Sequence, residues 1–391
     1  MVVMAIKYQI CMVSFSEPFT DARTLNLLKT LNKKKYNICL LALGDNKTER
    51  SFKAMGIDFY PIEKSELKKA WLRWSKFILN SKKYLKNIDS EFYIACDMYS
   101  LPVVKDLYTV SSFPRKYFIY DSREIYSQLG PLSDNSMKQL AISKAEKIYI
   151  KSVDEIIVSG RNDLEYLQNY FEKKYVYHII KNLPPFKNIV PSDIIREKYN
   201  IPVSDLILIY QGEILPGRGL VQTLKAMRVI SGVQLAILGD GPMRGQLEEA
   251  SKKLNLEKRV HFVGKVPYAQ LHEWTCSADI GLSLFEPISL SYKFALPNKM
   301  FEYIMAGVPS LVTNLPAMQE VVEKYKIGIL INENLDYKEI AKKIEFLRDQ
   351  RIRDEYNEHC KNATMKISYE SQENTVINIF KSKLLKTKLE R

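Results

Sequence analysis

The chain has 391 residues, 46% of them aliphatic or aromatic, and 58 Lys and Arg against 45 Asp and Glu. That length and apolar share suffice for two cores, which excludes a disordered or fibrous chain and predicts two domains. Five cysteines (Cys11, Cys39, Cys96, Cys276, Cys360) show no Cys-x-x-Cys spacing, and the four histidines form no ligand pair. This argues against a disulfide framework and against a metal site, and predicts a reducing, cytoplasmic compartment.

The net charge of +13 is uneven: residues 1–90 hold 17 Lys and Arg but 8 Asp and Glu, residues 91–183 hold 12 and 12, and residues 184–391 hold 29 and 25. Such an excess suits an anionic membrane surface, nucleic acid or an acidic substrate, as well as an ordinary Lys-rich surface. No apolar run approaches the ~20 residues that span a bilayer.

Taken in chain order, apolar segments 6–15, 38–43, 92–96, 117–121, 155–159 and 176–180 read as strands separated by helical patterns. The first reads as a buried strand rather than a signal peptide, since it carries Lys7 and lacks a small-residue cleavage site. Between the second and third strands, residues 66–87 place Leu67, Ala70, Trp71, Trp74, Phe77, Ile78, Ser81, Tyr84 and Leu85 on one helical stripe. Lys68, Lys69, Arg73, Lys76, Lys82, Lys83 and Lys86 flank it. Two readings fit: a crossover helix packed on the sheet with its lysines in water, and an interfacial helix on an anionic membrane.

The pattern pauses at Lys181-Asn182-Leu183-Pro184-Pro185-Phe186, where paired prolines stiffen a linker. A second set of strands follows at 206–211, 234–238, 259–263, 280–284, 310–312 and 328–331. Strands alternating with helices predict an α/β fold with a parallel, doubly wound sheet in each half. The reading is two tandem Rossmann-like domains, 1–183 and 184–368, facing a central cleft, and a basic C-terminal helix at 369–391. Ligands of such sheets bind beyond the carboxyl ends of the strands.

The second half carries the chemistry. In Tyr210-Gln211-Gly212-Glu213-Ile214-Leu215-Pro216-Gly217-Arg218-Gly219 a strand runs into a glycine-rich loop. Gly212 and Gly217 permit close backbone approach, and Arg218 offers a fork of donors to a phosphate. Leu238-Gly239-Asp240-Gly241-Pro242 repeats the strand-to-glycine pattern, a weak signal by itself. Val263-Gly264-Lys265-Val266-Pro267 is read either as another turn or as backbone that holds a nucleobase edge. Then Pro297-Asn298-Lys299-Met300-Phe301-Glu302-Tyr303 opens a short helix that Gly307-Val308-Pro309 closes. A helix N-terminus suits a diphosphate, and a carboxylate one turn further in accepts hydrogen bonds from two adjacent sugar hydroxyls. A nucleotide has both features.

The order of these segments resembles a family 4 glycosyltransferase of the GT-B fold, a retaining enzyme that uses a nucleotide-activated sugar. The resemblance covers nearly the whole chain and is strongest over about residues 195–332. It implies that Glu302 holds the donor ribose, that Arg218 sits on the diphosphate, and that Lys299 assists phosphate or sugar. It implies donor contacts from Gly212, Gly217, Gly239, Leu296, Pro297 and Asn298, with Lys265 and Val266 flanking the base. In the first domain, Asp21, Arg23, Asp97, Arg123 and Glu124 match acceptor-side motifs, and the tail from Tyr369 matches a helix that crosses back onto that domain. The donor is expected to be a UDP-sugar or GDP-sugar, the acceptor a glycan or lipid-linked glycan in cell-surface polysaccharide synthesis, with no metal and no nucleic acid required. Phe294 stands where many members carry Glu, Arg123 where many carry His, and Glu213 where a second basic residue often follows the glycine. Those departures keep open a catalytically silent homologue, and the fold keeps open a nucleotide-sugar epimerase. A nucleic-acid-binding protein is disfavoured, because the basic excess shows no interleaved aromatic motif.

Overall fold

The computed structural model describes residues 6–110, 116–129, 135–171 and 175–389. The chain divides into two compact units, Met1–Asn182 with Gln372–Arg391, and Leu183–Ser371.

The first unit is a parallel seven-stranded sheet: β1 (Ile6–Ser14), β2 (Ile38–Leu43), β3 (Asp58–Ile62), β4 (Ile88–Ala95), β5 (Tyr117–Ser122), β6 (Glu155–Val158) and β7 (Val176–Ile179), in the order β3-β2-β1-β4-β5-β6-β7. The reversal of strand order at β1 and β4 is a topological switch point, where the strand ends open into a crevice. The sequence reading missed β3 because it is short and carries Pro61 (Asp58-Phe59-Tyr60-Pro61-Ile62). Proline removes a ladder donor and is tolerated at an edge, which is where β3 lies.

The last helix, Glu373–Leu389, is part of this unit. Phe380 packs edge-on against Phe92, with ring centroids 5.3 Å apart, and the Gln372 carboxamide bonds the Lys181 backbone through both its ends, at 2.9 and 2.7 Å.

The second unit is a parallel six-stranded sheet: β8 (Leu206–Gln211), β9 (Val233–Leu238), β10 (Val260–Gly264), β11 (Ile280–Ser283), β12 (Ser310–Thr313) and β13 (Gly328–Ile331), in the order β10-β9-β8-β11-β12-β13. Here the switch point falls between β8 and β11. Both strands are wholly buried, as expected of a parallel sheet covered on two faces. At the end of β9, Gly239 has φ +143°, and a Cβ there would lie 1.9 Å from the Gly212 carbonyl oxygen. Glycine at 239 therefore lets the two strand-end loops touch.

Candidate functional site

The geometry of the second unit gathers Arg218, Lys299 and Glu302 around the end of β8. Arg218 leaves the glycine loop with its guanidinium 4.2 Å from the Phe285 ring centroid and 4.5 Å from that of Tyr292. The Lys299 ammonium lies 3.7 Å from the Tyr210 centroid and 5.4 Å from that of Phe285. Two cations thus share one aromatic nest, and aromatic faces stabilise them only in part. Arg218 Nε is buried without a hydrogen-bond partner. Lys299 is 9% exposed, and burial, reinforced by the Arg218 charge, pushes its pKa well below the ordinary value. Buried cations without a matched anion are costly, and a ligand carrying negative charge removes that cost.

The loop is fixed so that these side chains converge. Tyr210 Oη donates to the Glu213 carbonyl at 2.7 Å, Glu286 N to the Gly217 carbonyl at 3.0 Å, and Phe285 N to Thr313 Oγ1 at 2.7 Å. Gly212 borders the nest: a Cβ there would stand 3.6 Å from Lys299 Nζ.

Helix Asn298–Met305 begins with Pro297 at its N-cap, one residue before the first helical position that the sequence reading gave it. No side chain caps this N-terminus. Leu296, Pro297 and Asn298 lead into it from the loop after Phe294. Its apolar residues, including Met300, Phe301 and Ile304, are buried, which leaves Glu302 half-buried on the remaining face. Glu302 lines a small open pocket together with Pro184, Lys187, Tyr268, Leu271, His272, Thr275 and Met305. Burial raises its pKa; a hydrogen bond from Gln211 and the charges of Lys187 and Lys299 oppose that rise.

Lys265 is exposed and Val266 is packed against the cluster that includes Trp274; both directly precede helix Tyr268–Cys276, one wall of the pocket. The structure therefore brings together Arg218, Lys299, Gly212 and Glu302, with the 265–266 segment alongside the wall of the Glu302 pocket. Sequence reasoning did not pick out Tyr210, Phe285, Tyr292, Gln211 or Thr275. A polar residue ending an otherwise apolar strand was a usable sign of Gln211. The aromatic residues looked like ordinary core.

In the first unit the residues read as acceptor-facing form one ionic network at the strand ends. Arg23 is buried and clasps Asp121 through Nε at 2.9 Å and Nη2 at 2.6 Å, while Nη1 donates to the Ile180 carbonyl at 2.6 Å. Arg123 donates to Asp121 at 3.1 Å, to Asp21 at 2.5 Å and to Thr24 Oγ1 at 2.6 Å. Burial raises the Asp21 carboxyl, but the Arg123 charge and the Thr24 N–H outweigh it and hold it at about 2. Asp21 thus contributes stability in full above the usual carboxylate value, and loses it as pH falls toward 2. Asp97 accepts from Phe15 N, Ser100 N and Ser100 Oγ, each at 2.8 Å, and caps the turn after β4. Asp97 and Arg23 act as braces here, and Glu124 is exposed. Replacing Arg23 by methionine would leave the buried Asp121 carboxylate with Arg123 as its remaining charge partner and is expected to cost about 3 kcal/mol of unfolding free energy, read from the denaturant midpoint.

Among the described residues no group of His, Cys, Asp and Glu is arranged to hold a metal ion, and no helix is long and apolar enough to cross a membrane.

Residues 191–366, most of the second unit, match the family described as Glycosyl transferases group 1. The chain spans less than half the length of the curated relatives it matches. One is the lipopolysaccharide core biosynthesis glycosyltransferase LpsD of Rhizobium meliloti, 24% identical over 155 residues, which cover 39% of this chain and 42% of that one. Among solved structures, sucrose-phosphate synthase of Thermosynechococcus elongatus superposes with a TM-score of 0.77 at 15% identity, covering 96% of this chain and 99% of that one. HepE of Anabaena, solved in complex with UDP and glucose, superposes with a TM-score of 0.73 at 14% identity, covering 96% and 100%. At such identities the likeness is one of fold. The second unit thus carries the match to the glycosyl transferases group 1 family, and the two Rossmann-like units are those of the GT-B fold.

Proposed function

We propose that the protein transfers a sugar, with retention, from a nucleoside diphosphate sugar to a glycan or lipid-linked acceptor. The observation that carries this reading is that the buried Lys299 and the half-buried Arg218, whose Nε has no hydrogen-bond partner, share one aromatic nest, with a half-buried Glu302 one turn along the Lys299 helix. The cations take the diphosphate and Glu302 takes the ribose hydroxyls. As the anomeric carbon–oxygen bond breaks, charge accumulates on the departing diphosphate, and prepositioned cations stabilise that charge without reorganisation. The acceptor oxygen forms its bond to the anomeric carbon on the face the phosphate leaves, and its proton passes to a departing phosphate oxygen. No nucleophilic carboxylate takes part in this route. The UDP complex of HepE supports a uridine donor, and the name of the Rhizobium relative supports a cell-surface glycolipid acceptor. Differential scanning of the protein against a panel of nucleotides tests the reading. Stabilisation by UDP or GDP but not by the nucleosides is expected, and indifference to all diphosphates would overturn it.

We also propose peripheral attachment to an anionic membrane. Helix Ala70–Leu85 buries only part of the stripe read from the sequence: Phe77, Ser81 and Leu85 face the core, and Trp74 Nε1 donates to the Tyr99 carbonyl at 2.7 Å. Trp71 and Leu79, at 60% and 63% exposure, lie on the outer face beside the exposed Lys76 and Lys83. Each lysine near an anionic leaflet contributes about 1 kcal/mol, and the apolar tips add burial in the interface. Wild-type protein should co-sediment with vesicles containing phosphatidylglycerol, and Trp71→Glu with Leu79→Glu should abolish this while nucleotide binding persists. Equal recovery with purely zwitterionic vesicles would contradict it.

A further inference from the structure

We propose that Gln211 is a positioning residue for Glu302: it anchors one carboxylate oxygen, Thr275 anchors Gln211, and the carboxylate is thereby aimed at a sugar diol before any ligand arrives. This rests on the reading of Glu302 as the ribose ligand.

Gln211 is the last residue of β8, following the apolar run Leu206–Tyr210, and it is buried. A carboxamide in such a place needs partners at both ends. Its Nε2 donates to Glu302 Oε2, and its Oε1 lies 2.9 Å from the Thr275 hydroxyl. Thr275 is itself buried on helix Tyr268–Cys276, and its single proton is shared between Gln211 Oε1 and the Leu271 carbonyl at 2.7 Å. The relay has a direction: turning the amide over would set Oε1 against a carboxylate oxygen. A carboxylate offers about four lone-pair sites, and Gln211 occupies one of them. The remaining sites stay available for two neighbouring hydroxyls on the pocket side. Anchoring removes rotamer freedom that binding would otherwise have to remove. It also favours the charged form of Glu302, which burial disfavours.

The role predicts a loss confined to the ribose hydroxyls. Binding of UDP and GDP, each compared with its 2′-deoxy counterpart, is measured by titration calorimetry across pH in the wild type, Gln211→Met and Thr275→Val. For the nucleotide that the wild type binds, Gln211→Met is expected to weaken the ribonucleotide roughly tenfold, the worth of one charge-assisted hydrogen bond. The 2′-deoxy form, which keeps only the 3′-hydroxyl, is expected to lose less, so that discrimination narrows, and the midpoint of the pH dependence of ribonucleotide binding is expected to move upward. Thr275→Val, nearly isosteric, should give a smaller effect of the same pattern, and it keeps the test intact if the methionine variant does not fold. Equal losses for ribo- and deoxyribonucleotide would reveal a purely structural role and overturn the proposal. Glu302→Gln separates the two levels. If it leaves wild-type discrimination intact, or if neither diphosphate binds the wild type, the ribose reading fails. If it abolishes discrimination while both Gln211→Met and Thr275→Val retain it, only the positioning role fails.

Discussion

Replacing Lys299 by methionine is expected to reduce the rate constant for sugar transfer about 10²–10³-fold, the usual effect of removing one preorganised donor from a developing anion. The same change is expected to raise the temperature of unfolding in the absence of nucleotide. Both outcomes follow from one fact: Lys299 is buried beside Arg218, and the aromatic nest of Tyr210 and Phe285 is a weak substitute for an anion. Methionine fills much the same volume without the desolvated charge. The pH dependence carries the matching sign. The folded pKa of Lys299 lies below its unfolded value of 10.5, so between the two the unfolded chain binds more protons. Wild-type stability therefore rises with pH across that window, and the Lys299→Met variant loses this slope. A variant with lower activity and lower stability together would indicate that Lys299 holds the fold rather than the ligand. Function bought with stability is a common signature of a binding site.

Replacing Glu302 by alanine is expected to weaken nucleotide binding by about 2–4 kcal/mol, the worth of one or two hydrogen bonds to a charged acceptor. The loss should appear mainly in KM for the nucleotide sugar, because the ribose hydroxyls are far from the bond that breaks and are held equally in ground and transition states. In the wild type, burial holds the Glu302 pKa above its ordinary value of 4.5. Affinity should consequently decline as pH falls, from a higher pH than an exposed carboxylate would show, and the alanine variant should be flat over that range. A loss in kcat at unchanged KM would place Glu302 at the reacting centre instead.

Much of the fold was legible in the sequence because parallel strands buried on both faces appear as continuous apolar runs. Leu206–Gln211 and Ile38–Leu43 are examples, each found at its observed boundaries. What escaped was β3, where Asp58 and Pro61 interrupt the run, since an edge strand needs neither full burial nor a complete ladder. The three residues proposed for the donor site stood out for a related reason: Arg218 is a charge in a glycine-marked turn between apolar elements, and Lys299 and Glu302 are charges in a short apolar helix that a proline opens. Their neighbours did not. Phe285 follows β11 and Tyr292 sits in the short helix Leu290–Lys293, and what distinguishes them is that they face a guanidinium, a property of three-dimensional proximity that no spacing encodes. Thr275, 64 residues from Gln211, is invisible for the same reason. The stripe on Ala70–Leu85 shows the converse failure. Helical periodicity correctly marked an amphipathic element, but Trp71 of that stripe faces outward, as does Leu79 beside it, because the sheet covers less of the helix than its apolar residues offer.

A crystal structure of the protein with UDP or GDP tests the central claim most directly. The account predicts the diphosphate between the Arg218 guanidinium and the Lys299 ammonium, with the ribose hydroxyls on the Glu302 carboxylate. A nucleotide bound elsewhere, or one whose phosphates leave both cations without contact, would contradict it.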